Sequence, residues 1–381
     1  MKKVLILVQS RVSRDIRVKR QIEWLMPKYD IFLSAIDAPL NFPKNRFYYL
    51  PHFKDVFGGR LSILFQALVA NSGFFKKFNF IHFFHKKTLS TLIKLEFDII
   101  IANDANTLPL GYFLKDRKPH VKLIYDDHEY APTEHEGDKM WEFLYQPVNL
   151  RMLELIYKVN QVVTVGYNIA ERFKREYHVE PLVITNAPAQ YQIKEITKTT
   201  SKIKLIHHGI ISKQRQPELM IEMAKYLDER FDISFMFIGK SIEIERLQNL
   251  AKPFLHKIHF IDPVDSDEIV EFISSFDIGV FILPPLNFTF LNALPNKLFE
   301  FIQAGLAVAI GPSKEMAQIV NEYSLGVVAS EFTPQSLAIE INKISYDMLY
   351  NFKLNSRKAA NLLNAENNGL AFVTMVEKLF K

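Results

Sequence analysis

The chain has no cysteine in its 381 residues, so it can build neither a disulfide framework nor a thiolate metal site, an absence that fits a reducing compartment. No uninterrupted apolar run reaches the roughly 18 residues that a membrane-spanning helix needs. The N-terminus, MKKVLILVQSR, opens with basic residues, but the apolar run Val4–Val8 ends at Gln9, which reads as a strand and not as a signal peptide. The GxGxxG of dinucleotide-binding proteins is missing where the first strand ends, in QSRVSRDIR (Gln9–Arg17). Tandem repeats and low-complexity tracts are missing as well. Acidic residues are absent between Asp55 and Glu96, where Arg60, Lys76, Lys77, Lys86, Lys87 and Lys94 lie among aromatics, as in GFFKKFNFIHFFHKK (Gly73–Lys87). Such a stretch, 56–95, suits an anionic membrane surface, with rings at the headgroup level and lysines on lipid phosphates. Its alternative is a set of core helices with lysines at the rim. No nucleic-acid recognition motif accompanies it, so nucleic acid is not an expected partner.

What the chain does have is apolar patterning in quantity. A hydrophobic fraction of 48% over this length is enough for two packed cores, and the net charge of +5 is modest. Strand-like runs alternate with helical patterns from end to end, as in parallel βαβ units. In the first half they are Lys3–Gln9, Asp30–Ile36, Arg46–Leu50, Asp98–Asp104, Val121–His128, Gln161–Gly166 and Leu182–Asn186. In the second half they are Lys202–Gly209, Ile233–Gly239, Ile258–Val264, Ile278–Pro284, Leu306–Gly311 and Gly326–Ala329. The polar stretch Asn186–Ser201 reads as a linker. The expectation is an α/β protein of two Rossmann-like doubly wound parallel-sheet domains, 1–190 and 191–363, facing each other across a cleft. The stretch 364–381 reads as an amphipathic helix. In such sheets ligands bind at the carboxyl ends of the strands.

The stretch Asn292–Gly311, NALPNKLFEFIQAGLAVAIG, reads as a helix start, a helix with one polar edge and a buried strand in succession. Pro295 pre-sets φ at the helix entry, so free N–H groups around Asn296 and Lys297 would point out of the helix start, where diphosphates bind well. Lys297 adds a mobile positive charge there. Leu298, Phe299, Phe301 and Ile302 share one face, and Asn296 and Glu300, four apart, share the other. Gly305 stops the helix. The plainer reading is an ordinary amphipathic helix with Glu300 in solvent, paired to Lys297.

Other strand ends carry polar groups. Arg11, Arg14 and Arg17 surround Asp15 after the first strand, either to grip an anionic or hydroxyl-rich acceptor or, through Ser13 or Asp15, to cap the helix Arg17–Leu25. Asn103 and Asp104 end the fourth strand, and Asp126, Asp127, His128 and Glu129 end the fifth. Carboxylates and an imidazole are costly to bury, so these groups should face water or a ligand. His128 with His135 could suggest a metal, but the i,i+4 pairing of a zinc helix is lacking. In the second half Gly209 ends a strand, Arg215 precedes a helix and can clamp a diphosphate or pair with Glu218, and Gly239 permits close backbone approach. Asp265–Asp267 (DSD) reads as the cap and acidic first turn of a helix Asp267–Phe276.

Together these segments resemble the retaining glycosyltransferases of the GT-B fold, glycosyltransferase family 4 especially, over nearly the whole chain. PNKLFEFIQAGLAVAIG is similar to the family's donor-binding motif, and the resemblance makes Glu300 the ribose ligand; the family's earlier glutamate, eight residues upstream, is here Asn292. Further matches are Asp15 and Arg17, Asn103 and Asp104, the DDHE of Asp126–Glu129, TNAP (Thr185–Pro188) and the Gly209…Arg215 start of the second domain. The resemblance implies donor binding by Gly209, Arg215, Gly239, Asn292, Pro295, Asn296, Lys297, Leu298 and Glu300. It implies acceptor binding by Arg11, Asp15, Arg17, Asp104, Asp127, His128 and Glu129, and catalytic roles for His128, Arg215, Lys297 and Glu300. The implied partners are a UDP- or GDP-linked sugar and a glycan or glycolipid acceptor in bacterial surface polysaccharide or glycoconjugate synthesis, with no metal or other cofactor. The resemblance also implies that the helix 364–381 packs back on the first domain, and the implied place is the cytoplasm or the inner face of its membrane. Two readings compete: an epimerase of the same fold acting on UDP-sugars, and a non-catalytic nucleotide-sugar-binding partner in a polysaccharide assembly complex, prompted by Asn292.

Overall fold

The computed structural model describes residues 1–52, 86–192, 195–196 and 198–380, with Leu64, Phe65, Ala67, Leu68 and Ala70 as further positions. Most of the basic aromatic stretch 56–95 lies outside the described residues, Arg60, Lys76 and Lys77 among them; Lys86 and Lys87 begin the helix Lys86–Leu92. Among the described residues no helix is long and apolar enough to cross a membrane. The chain divides into two compact units, Met1–Thr185 with Gly369–Lys381, and Asn186–Asn368.

Among the described residues the first unit is built on seven parallel strands: β1 (Lys3–Leu7), β2 (Asp30–Ala35), β3 (Phe47–Tyr49), β4 (Ile99–Asn103), β5 (Lys122–Asp127), β6 (Gln161–Thr164) and β7 (Leu182–Val183). Their order is β3-β2-β1-β4-β5-β6-β7. The second unit has six: β8 (Ile203–Ile210), β9 (Phe231–Ile238), β10 (Ile258–Phe260), β11 (Ile278–Phe281), β12 (Ala307–Ile310) and β13 (Gly326–Val328), in the order β10-β9-β8-β11-β12-β13. Each apolar run singled out in the sequence coincides with one of these strands, most of them shortened at an end; β8 runs past its stretch to Ile210 and β9 begins before its stretch, at Phe231. All the pairings are parallel.

The physical reason for continuous apolar runs is burial on both faces. Leu205 and Ile206, neighbours on β8, belong to two separate core clusters on opposite faces of the second sheet. In each sheet the strand order reverses between two adjacent strands, β1 and β4 in one and β8 and β11 in the other. That reversal opens a crevice beyond their carboxyl ends.

Two elements differ from the sequence reading. The stretch Asn186–Ser201 is not a free linker, because its described residues pack on the second unit. There Ala187 is fully buried, Tyr191 N–H donates to Gln303 Oε1 at 2.9 Å, and Thr199 Oγ1 donates to Asp277 Oδ1 at 2.7 Å. The helix expected over Asp267–Phe276 spans only Ile269–Ile273, and neither Asp265 nor Ser266 caps it. Instead Glu268 N–H bonds the Asp265 carbonyl in a preceding turn, and Ser266 bonds Asp267. The last helix, Ala365–Lys378, joins the first unit from Gly369 on. Phe372, Val373 and Val376 enter the core that holds Val4, Ile22 and Leu25, and Phe372 meets Trp24 with ring centroids 5.9 Å apart.

Candidate functional site

Polar groups gather at the crevice of each sheet. In the first unit, a cavity of about 410 Å³ opens beyond β4 and β5, within the size range of small-molecule sites. Its floor includes Asp104, Asn106, Asp127, His128 and Glu129, with Arg17 from the helix Ile16–Leu25. Its wall comes from the helices Lys139–Leu144 and Gln146–Leu153, through Trp141, Leu144, Val148 and Met152. The cavity therefore offers hydrogen-bonding groups on one side and apolar surface on the other.

The carboxylates and imidazole here are more buried than expected. Asp126, Asp127 and His128 are at most 6% exposed. Burial is tolerated because the groups answer one another. His128 Nδ1 lies 3.1 Å from Asp104 Oδ1, and Nε2 lies 3.5 Å from Asp126 Oδ1. Burial and the Arg17 charge favour a neutral ring, but Asp126 and Asp104 outweigh them and raise its pKa to about 9. Asp104 takes a left-handed backbone, φ 64°, which turns its partly exposed side chain into the cavity. Burial opposes its ionisation, but His128 holds its carboxyl below the usual range. Burial, followed by the Asp104 charge, pushes Asp127 well above that range. Glu129, whose outer edge is exposed, is crowded by the cavity walls and by Glu134 and rises to about 7.

Arg17, Asp104, Asp127, His128 and Glu129 are thus brought together, whereas Arg11 and Asp15 are not among the cavity's lining. Arg11 forms an isolated bridge with Asp37. Asp15 caps the helix Ile16–Leu25 through Val18 N–H and accepts from Ser10 Oγ at 2.8 Å. Ser13 binds Asp37 instead of capping. His135 lies 3.5 Å from Glu134 and packs edge-on to Trp141, and among the described residues no three His, Asp or Glu side chains are grouped to hold a metal ion.

In the second unit the crevice is lined by the ends of β8 and β11 and by the helix Asn296–Gln303. Pro295 is the residue just before that helix, and Asn296 is exposed at its start. Leu298, Phe299, Phe301 and Ile302 are buried. At its end Leu306 N–H bonds Phe301 O and Gly305 N–H bonds Ile302 O, both at 3.0 Å, with Gly305 at φ 72°. That is a Schellman stop.

Lys297 is the main correction. It is not a mobile surface charge: it is 7% exposed, and its ammonium sits 3.9 Å above the centre of the Phe281 ring. Gly209 leaves room for it, since a Cβ there would lie 3.1 Å from Lys297 Nζ, and its φ of 136° is one that side chains rarely adopt. Burial, then the Arg215 charge, pull Lys297 down to about 7, against the opposing influence of Glu300. Arg215 is exposed at the end of the turn Lys213–Arg215, and Glu218, expected as its partner, pairs with Arg246.

Glu300 is not loose in solvent: His208 Nε2 lies 3.4 Å from its Oε2. Burial, then Lys297, hold His208 down to about 3, so a neutral ring faces the carboxylate. Asn292 is buried, and its side-chain N–H donates to Phe288 O at 2.8 Å. Gly239 admits the Ile211 side chain, 3.1 Å from where a Cβ would be, and not another backbone.

The sequence reading missed His208, Asn106 and the wall residues Trp141, Leu144, Val148 and Met152. The polar pair His207–His208 inside the β8 run was a usable signal. The wall was not legible, because short helices over 139–153 carry no residue-type signature.

The two sheets, their strand order and the following likenesses give the chain the GT-B fold. The structure is similar to sucrose-phosphate synthase from Thermosynechococcus elongatus, with a TM-score of 0.71 at 12% identity over 100% of this chain and 99% of that one. It is similar also to Anabaena HepE, solved in complex with UDP, with a TM-score of 0.70 at 14% identity over 99% and 100%. A glycosyltransferase from Rickettsia africae aligns with a TM-score of 0.63 at 14% identity over 100% and 99%. The family model described as Glycosyl transferases group 1 matches residues 190–360, a span inside the second unit. No curated protein matches the chain by sequence.

Proposed function

We propose that this protein is a retaining glycosyltransferase, of family 4 type, that moves a sugar from a nucleoside-diphosphate sugar to a hydroxyl of a glycan or lipid-linked acceptor. The observation that carries this reading is the cluster of Gly209, Lys297, Arg215 and Glu300 at the crevice of the unit that matches the glycosyltransferase family model. HepE, of the same fold, was solved with UDP, which supports a uridine donor ahead of a guanosine one.

The chemistry follows from charge. As the bond from the sugar's anomeric carbon to the β-phosphate oxygen breaks, negative charge grows on that oxygen. Lys297, Arg215 and the backbone N–H groups that open the helix Asn296–Gln303 are the groups to stabilise it. No metal is needed in this scheme, because two cationic side chains serve. Glu300 accepts from the ribose hydroxyls. The acceptor hydroxyl oxygen bonds to the anomeric carbon on the face the diphosphate leaves, and its proton passes to the departing phosphate oxygen. The cavity of the first unit, with its polar floor and apolar wall, is the acceptor site in this reading. Bacterial surface polysaccharide or glycoconjugate synthesis, at the cytoplasmic face of the membrane, is the setting proposed.

The test is a thermal-shift panel of UDP, GDP, ADP and CMP, with and without Mg²⁺, followed by mass-spectrometric detection of hydrolysis of the matching nucleotide sugars. Stabilisation by one diphosphate without Mg²⁺ and slow donor hydrolysis are expected; stabilisation by none of the four contradicts the reading. Asn292 favours a second reading, a non-catalytic nucleotide-sugar binder, since its side-chain amide bonds the local backbone at the place where the resembled family often has a glutamate. Binding without any hydrolysis or transfer would select it.

A further inference from the structure

Both nitrogens of His128 face carboxylates, and one of those carboxylates is itself held from behind. Asp126 Oδ2 accepts from Gln21 Nε2, the same nitrogen donates to Asn103 Oδ1 at 2.9 Å, and Asn103 Nδ2 donates to the Leu7 carbonyl at 3.3 Å. A polar chain thus runs from the backbone of β1, through β4 and the helix Ile16–Leu25, to the imidazole on the cavity floor. Gln21 is 2% exposed and occupies the apolar stripe of Val18, Ile22 and Leu25. An amide on such a stripe is costly to bury unless it is bonded, and the bonds its side-chain N–H groups make both lie in this network.

We infer that Gln21 and Asp126, neither of which lines the cavity, are positioning residues that lock the His128 ring between two carboxylates. The charged groups facing the ring are Arg17 from the helix, Asp104 from the end of β4 and Asp126 from β5, with Asp127 and Glu129 as its neighbours in the chain. The two carboxylates prevail over Arg17 and burial, so the ring stays protonated through neutral pH. An imidazolium, here with Nδ1 bonded to Asp104 and Nε2 lying 3.5 Å from Asp126, has no lone pair left. It cannot take the proton of an acceptor hydroxyl, and what it offers the cavity is fixed charge and shape. Only this last consequence rests on reading the cavity as the acceptor site.

The experiment is an NMR titration of the His128 Cε1–H resonance in the full chain, assigned with a His128→Gln variant. The wild type is expected to titrate near 9. Asp126→Asn, which keeps the shape and the Gln21 contact, lowers the midpoint by about one unit or more. Gln21→Leu lowers it by less, because an unsupported carboxylate turns away from the ring. If Gln21→Leu does not fold, Asp126→Asn decides alone. A wild-type midpoint at or below the ordinary value of about 6.5, or one unmoved by Asp126→Asn, overturns the inference. In transfer assays Asp126→Asn lowers kcat/KM for the acceptor roughly tenfold or more, with donor KM unchanged. The expected titration without any transfer by the wild type keeps the lock and sinks the functional reading; transfer with an ordinary, unmoved His128 titration does the reverse.

Discussion

His128 in the first unit and Lys297 in the second are both buried cations at a strand-end crevice, and the protein treats them in opposite ways. Around His128 it supplies Asp104 and Asp126, so the charge is compensated before any ligand arrives. Around Lys297 it supplies the face of Phe281, a neighbouring Arg215 and only the partial influence of Glu300, so the charge is left wanting an anion. A compensated cation suits an uncharged, hydroxyl-rich ligand; a buried cation without full counter-charge suits a diphosphate. The two crevices therefore differ less in which residue types they hold than in whether the counter-charge is built in.

Removing the uncompensated charge is the strongest way to break this contrast. Lys297→Ala should lower kcat for transfer by about 100- to 1,000-fold, as expected when one donor to a developing oxyanion is lost, and Arg215→Ala by about tenfold. If steady-state kinetics are unchanged in both, the second crevice is not where charge develops. The next effect is structural. Gly279 on β11 lets the Phe301 ring lie against the strand, so closely that a Cβ at this position would meet the ring at 2.2 Å. Gly279→Ala should destabilise the second unit by about 1–3 kcal/mol, measured by urea unfolding, because it pushes away the helix that carries Lys297. A neutral result would mean that this helix has slack. Glu300→Ala should raise donor KM about tenfold, near 1.4 kcal/mol, with a smaller change in kcat.

The smallest effect is in pH. A bound diphosphate raises the Lys297 pKa from about 7, so donor binding takes up a proton above that value. Affinity should be strongest below pH 7 and fall roughly fivefold between pH 7 and 8, the direction set by the free protein's loss of that proton. His128, which keeps its proton over the same interval, should contribute nothing to the slope. Dissociation constants from calorimetry at four pH values check the sign.

The strands were legible because burial on both sheet faces demands uninterrupted apolar residues. The Schellman stop at Gly305 and the helix entry at Pro295 were legible for the same local reason: they are fixed by a few consecutive residues. What stayed hidden depends on distant partners. Lys297 looks like a rim lysine until Gly209 and Phe281, far away in sequence, are brought against it. Asp127 reads as a carboxylate facing water or a ligand until the fold closes around it. Gln21 was visible in principle, as an amide at the spacing of Val18, Ile22 and Leu25 on an otherwise apolar stripe.

The most direct test is calorimetric titration of the protein at pH 8 with the nucleoside diphosphate that stabilises it most, in two buffers of different ionisation enthalpy. The account predicts binding with uptake of roughly one proton in the wild type and none in Lys297→Met. Binding with no proton uptake, or with equal uptake in the variant, would contradict the claim that Lys297 is an uncompensated cation awaiting the donor's diphosphate.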